Sequence, residues 1–348
     1  MPQKPMAYSA VLFSAMLSAS VQADNAPLTL FTWEDFVGES VIEEWEKQTG
    51  IPIHLVLYDD EAQRNLILSG HNAENIDVVV VDNSTIRVMS QAGHLYPVEQ
   101  EVRREKFWPE ACGRYGRHYL WGTYGIVYRS DKIDRQVSSW MDLLDPVEEL
   151  RGHVGMLGQA DELLTTALAA LGYPIDTHSE THLKEAFQLL KHQSHFVETY
   201  DYIYSYVSNS PDQEDIWIAP AYSGDQEGLN ELQGGNALWQ YTIADEGAIV
   251  WVDCLAIPME SKRKEEAQAF INFLSRAEIS ARNTARLWVA SPYKDAVPYI
   301  DSEILNDKSI YLDAKAIQNS TLFKELKGVD ILKRTRIKDA LIRYHDSN

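Results

Sequence analysis

The stretch Gly247-Ala-Ile-Val-Trp251-Val-Asp253-Cys-Leu-Ala-Ile-Pro258 reads as a single buried strand. It is almost wholly apolar and stops at a proline, which cannot donate to a sheet ladder. One carboxylate, Asp253, sits inside the run, two residues after Trp251. Alternate strand residues share a face, so the indole and the carboxylate project together. A buried carboxylate is costly unless its charge is compensated, and the strand contains no Lys or Arg. Two readings follow. Either backbone N–H groups or a distant arginine cap Asp253, or the site takes an external cation between Asp253 and the face of Trp251.

Upstream, strands and helices alternate. Leu28 to Thr32 reads as a strand leading into Trp33, Glu34, Asp35 and Phe36. Ser40 with Glu43 has the form of a capping box for a helix ending at Gly50. Ile51 to Tyr58 is a second strand, followed by Asp59-Asp60-Glu61 and a helix. Asp77 to Val81 is a third strand, of the kind found in parallel sheets, and it delivers Asp82, Asn83 and Ser84 to the next helix. This βαβ spacing predicts a mostly parallel sheet flanked by helices, with ligands at the carboxyl ends of its strands. Asp82 and Ser84 read equally well as helix N-caps, and Trp33 as a core or interdomain aromatic.

After this the character of the chain changes, and there is no internal repeat. Trp121 to Tyr128 is extended, Ser138 opens a helix, and Val154 to Leu157 is a short strand. Glu162 starts a helix running to Leu171. Ile216 to Ala221 is a strand delivering Tyr222 and Asp225. Glu265 to Leu274 is an amphipathic helix, Arg286 to Pro292 is extended, and Asp330 to Tyr344 is a basic helix offering a solvated face or a docking surface. His178 and His182 would share one helix face beside Glu180, the pattern of a surface helix far more than of a metal site.

Residues 1–23 read as a secretory signal peptide ending at the small-residue pattern Val21-Gln-Ala23, which places the mature protein outside the cytoplasm. About 325 residues then remain, enough for two domains. The formal charge of −21 disfavours nucleic acid and favours a cationic ligand. Cys112 and Cys254 are a disulfide pair or two buried thiols; the sequence leaves both open. None of the GxSxG, HExxH, P-loop or GxGxxG patterns is present. What recurs is an aromatic close to an acid in or after a strand: Trp33/Asp35, Tyr222/Asp225 and Trp251/Asp253, with Trp288 a further aromatic. Aromatic walls dotted with carboxylates suit a flexible chain of methylenes and ammonium groups, such as a linear polyamine.

The order of motifs — Trp33-Glu-Asp, Glu43 to Gly50, Asp77-Val-Val-Val, Trp121-Gly-Thr-Tyr-Gly, Ser139-Trp140-Met-Asp-Leu, Leu171-Gly-Tyr173 and the Gly247–Pro258 strand — resembles the periplasmic polyamine-binding proteins. These are the spermidine and putrescine receptors of bacterial ABC importers. The resemblance implies a bilobal, type II α/β solute-binding fold with two parallel-core sheets, a hinge of crossing strands and a ligand between the lobes. It implies a binding protein and not an enzyme, without cofactor or metal, monomeric, and handing its ligand to an inner-membrane partner. Carried over residue by residue, it places Trp33, Glu34, Asp35, Phe36, Asp82, Ser84, Glu162, Tyr222, Asp225, Trp251, Asp253 and Trp288 in the cleft. Asp82 stands where the family has Ser, Gln159 where it has an acid, and Glu34 where it has a small hydroxyl, so the ring of charges is rearranged. One branch of the family reports norspermidine or spermidine to a membrane-bound cyclic-di-GMP enzyme instead of importing it. The expected lobes are 24–128 with 254–298, and 129–253 with 299–348. A periplasmic hydrolase using a carboxylate pair, or the same fold binding another cationic solute, are the competing readings.

Overall fold

The computed structural model describes residues 26–347 except 35, 59–60, 101–103, 210–213, 324–325 and 327. The expected signal peptide therefore lies outside the described residues, as does Asp35. Among the described residues, no helix is long and apolar enough to cross a membrane.

The strands are β1 (Leu28–Thr32), β2 (Ile53–Leu57), β3 (Val78–Asp82), β4 (Leu95–Tyr96), β5 (Gly116–Arg129), β6 (Val154–Gly155), β7 (Val197–Thr199), β8 (Ile218–Tyr222), β9 (Trp239–Thr242), β10 (Ile249–Pro258) and β11 (Thr321–Leu322). They form one path, β2-β1-β3-β10-β5-β8-β6-β7, with β4 and β11 pairing on β10 and β9 on β5. β2, β1 and β3 are parallel, and so are β8, β6 and β7. Between these sectors run the two long strands β5 and β10, antiparallel to each other and to β8 and β3 respectively. The bilobal α/β fold is as expected, but the two parallel sectors are not separate sheets. β5 pairs with β10 through its first half and with β8 through its second, so hydrogen bonding runs unbroken from lobe to lobe.

Strand alternation builds a core on each face. Val78 and Val80 pack with Trp45 and Phe270, whereas Val79 and Val81 pack with Trp121 and Tyr311. In the second lobe Ile126 joins Trp140 and Leu164, and Val127 joins Ile203 and Trp239 on the other side. The chain does not leave the first lobe at residue 298. Ile300, Ile304, Ile310 and Tyr311 are in the first-lobe core, and Phe323, Ile337 and Leu341 are in the second. We therefore draw the last crossing after Leu312.

Several local expectations are revised. The first helix, Glu39–Thr49, is capped at Gly38 and has no side-chain cap, so the Ser40–Glu43 box does not form. Its amphipathic stripe, Val41 and Trp45, is buried, and Gly50 ends it in the left-handed conformation (φ 73°) with its N–H on the Glu46 carbonyl. Arg286 and Leu287 are not extended: the helix Ala277–Leu287 includes both and ends at Trp288, which takes φ 52°. His178 precedes the helix Glu180–Gln193, so it does not share a helix face with His182. It pairs with Asp330 at 2.9 Å, while the His182 ring stacks on Tyr173.

Cys112 and Cys254 are joined in a disulfide, with Cα atoms 5.7 Å apart and a sequence separation of 142. It ties the loop before β5 to the middle of β10, next to Asp253. Closing so long a loop restricts the unfolded chain, and its loss is expected to cost about 2–4 kcal/mol. The apo protein should therefore melt at a lower temperature in a thiol reductant. A melting temperature unmoved by complete reduction would contradict this.

Candidate functional site

The site is built where β10 passes between the two parallel sectors. Asp253 on β10 pairs in register with Asp82 at the end of β3, placing two carboxylates on neighbouring strands. On the other side Trp251 lies opposite Gly122 of β5. A Cβ at position 122 would sit 2.5 Å from the Trp251 ring and 2.4 Å from the Ser223 Oγ, so only glycine lets the indole lie across β5. One step further, the β5 register slips between the partners of Asp253 and Cys254, passing over Tyr119.

Asp253 is 6% exposed, and no described residue donates a hydrogen bond to its carboxylate or forms an ion pair with it. The backbone-capping reading therefore has no support among the described residues. Burial, and secondarily the charge of Asp82, push the Asp253 carboxyl up to about 7 against the weaker pull of Arg64. Glu162, in the first turn of the helix Ala160–Ala170, is the counterpart in the second lobe. Its Oε1 accepts from the Tyr222 hydroxyl at 3.3 Å, and burial again raises its carboxyl to about 7. The Tyr222 ring meets Trp251 edge to face at 6.2 Å. Trp33, just after β1, packs on Tyr58 at 4.4 Å. The charges of Asp161 in the second lobe and Asp82 in the first add to the rise of the Glu162 carboxyl.

Other expected site residues are engaged by the protein itself. The Asp82 Oδ1 accepts from the backbone N–H groups of Ser84 (2.9 Å) and Thr85 (2.8 Å) and from the Ser84 hydroxyl, and its Oδ2 takes Arg64 at 3.1 Å. Burial alone would raise Asp82, but Arg64 and these donors hold its carboxyl below the ordinary value. The helix-capping reading of Asp82 is thus realised. Asp225 accepts from the Tyr202 hydroxyl (2.5 Å) and the Tyr222 N–H (2.8 Å), which fixes the turn carrying Tyr222; burial pushes its carboxyl up to about 6. Glu34 is exposed, and Phe36 and Trp288 are half-buried against the first-lobe cores. The Trp288 carbonyl lies so close to Gly224 of the other lobe that a Cβ there would come within 2.9 Å; Gly224 also has φ 100°.

Sequence reasoning missed three charged groups, two of them buried. Arg64 is fully buried and bonds Asp82, Thr85 and the Tyr58 hydroxyl. Arg334, from the basic C-terminal helix Gly328–His345, is buried 3.9 Å from Asp161. Glu61 opens the helix Glu61–Leu68 and reaches Arg64 at 3.6 Å. The Glu61/Arg64 spacing was the available signal, but i,i+3 pairs are common on solvated helices.

The protein-family model "bacterial extracellular solute-binding protein" matches residues 40–307. A norspermidine sensor from Vibrio cholerae is 30% identical over 329 residues, spanning 94% of this chain and 91% of its own. The spermidine/putrescine-binding periplasmic protein of Escherichia coli is 26% identical over 318 residues, 87% of this chain and 88% of its own. Among solved structures, the spermidine/putrescine ABC transporter substrate-binding protein of Streptococcus pneumoniae superposes with a TM-score of 0.77 at 20% identity. That match spans 92% of this chain and 99% of the other. The resemblance drawn from the motifs is borne out: the chain belongs to the family of bacterial extracellular solute-binding proteins.

Proposed function

We propose that this protein is a periplasmic receptor that binds a linear polyamine of the spermidine or norspermidine kind between its lobes. It then presents the loaded, closed form to an inner-membrane partner, either an ABC importer or a signalling protein. One observation carries the reading: Asp253 and Glu162 face the interlobe cleft with no cation from the described residues to pair them, between Trp251 and Tyr222. Two such carboxylates are a standing cost in the empty protein. Ammonium groups remove it, while the intervening methylenes pack on the rings. The names of the relatives support the same ligand class, and they include both a sensor and transport receptors.

Calorimetry of the mature protein against putrescine, cadaverine, norspermidine, spermidine and spermine tests the reading. One or more of these should bind with 1:1 stoichiometry and micromolar or tighter affinity. Binding of none of them would overturn it.

A further inference from the structure

Glu61 stands at the first position of the helix that follows β2, at the carboxyl end of that strand, where ligands of parallel sheets collect. Its neighbour Arg64 is 0% exposed and held from every side. Nε bonds Asn65, one terminal nitrogen bonds the Tyr58 hydroxyl, and the other bonds Asp82 and Thr85. Arg64 is therefore a brace and cannot follow a ligand. The two acids beside it are treated unequally. Asp82 has both oxygens filled at 3.1 Å or less, whereas among the described residues Glu61 has a single contact, of 3.6 Å, and keeps 47% of its side chain open.

We propose that Glu61 is a third ligand-binding carboxylate of the cleft, and that it makes the site prefer triamines to diamines; this rests on the polyamine reading above. The three carboxylates come from three separate segments: Glu61 from the first lobe, Asp253 from the crossing strand and Glu162 from the second lobe. Asp253 is the buried, unpartnered member that marks the cleft as a cation site. Among the described residues, three other acids near the cleft are committed: Asp161 to Arg334, Asp225 to Tyr202 and the Tyr222 N–H, and Asp82 to Arg64. The Glu61 side chain keeps about half of its surface open. Its carboxyl is raised well above the ordinary value, first by burial and then by the charges of Asp82, Glu162 and Asp253. A diamine neutralises two of the three carboxylates. A triamine neutralises all of them.

The test compares the mature wild type with Glu61→Gln and Asp82→Asn, titrated calorimetrically with norspermidine and with cadaverine. Glu61→Gln should weaken norspermidine about tenfold or more and cadaverine by less than about threefold. Asp82→Asn should lower the apo melting temperature and shift the two affinities by similar factors, because it disturbs the scaffold under the site. Equal losses for both amines in Glu61→Gln, or no loss, would overturn the assignment. A loss confined to the triamine in Asp82→Asn alone would move the third subsite to Asp82. If wild type binds neither amine but Glu61→Gln folds normally, the polyamine reading itself has failed and the inference falls with it.

Discussion

Asp253→Asn should lower polyamine affinity by roughly 30- to several-thousand-fold, the equivalent of about 2–5 kcal/mol. The carboxylate is 6% exposed and unpaired among the described residues, so a ligand ammonium beside it is shielded from water and depends on that single charge. Asparagine keeps the shape and one acceptor but leaves the ammonium uncompensated. Trp251→Ala should also weaken binding, with less regard to which amine is used, because it removes ring contact and not a specific pairing. The apo protein should behave in the opposite way. Asn at 253 removes a buried charge that faces Asp82 across the β3–β10 pair, so the empty variant should melt at or above the wild-type temperature. A variant that melts lower and binds polyamine nearly as well would show that Asp253 serves the fold and not the ligand.

Affinity should also fall steeply as pH is lowered from about 8 to about 5.5. Free Asp and Glu side chains titrate at 3.8 and 4.5, whereas in the empty cleft burial raises Asp253 and Glu162 to about 7. The amines stay protonated throughout this range. Binding therefore requires two carboxylates to be ionised that are increasingly protonated below pH 7. Each contributes about tenfold in affinity per pH unit there. Together they would cost roughly a hundredfold per unit. For the apo protein the sign reverses. Its folded state holds more protons than the unfolded chain between the ordinary and the raised values, so these groups add stability at low pH. That contribution is lost as pH rises through about 4 to 7. Calorimetry near pH 6 in buffers of different ionisation enthalpy should show protons released on binding. An affinity flat across this range would mean that both carboxylates are already ionised in the empty cleft.

Much of this architecture was legible in the chain alone. Runs of one period, such as Val78 to Val81 and the Gly247–Pro258 strand, must be buried whatever surrounds them, so the strands, the βαβ alternation and the central place of Asp253 and Trp251 were readable. Helix ends were read less well. Ser40 is no cap because the chain already turns at Gly38, whose N–H goes to Asn283, 245 residues away.

The cleft chemistry divides in the same way. The residue types were set by the sequence: acids and aromatics at strand ends, in a chain of charge −21. Which acids are free was decided only by tertiary contacts. Asp82 and Asp253 look alike in sequence, each at or in an apolar strand. Yet Arg64 and the amides of Ser84 and Thr85 occupy Asp82, and nothing from the described residues pairs with Asp253. The Cys112–Cys254 bond and the burial of Arg334 under Asp161 are of the same kind. Local sequence determines what a segment buries, because periodicity acts over a few residues. Charge compensation acts through space between segments far apart in the chain, and so it belongs to the fold.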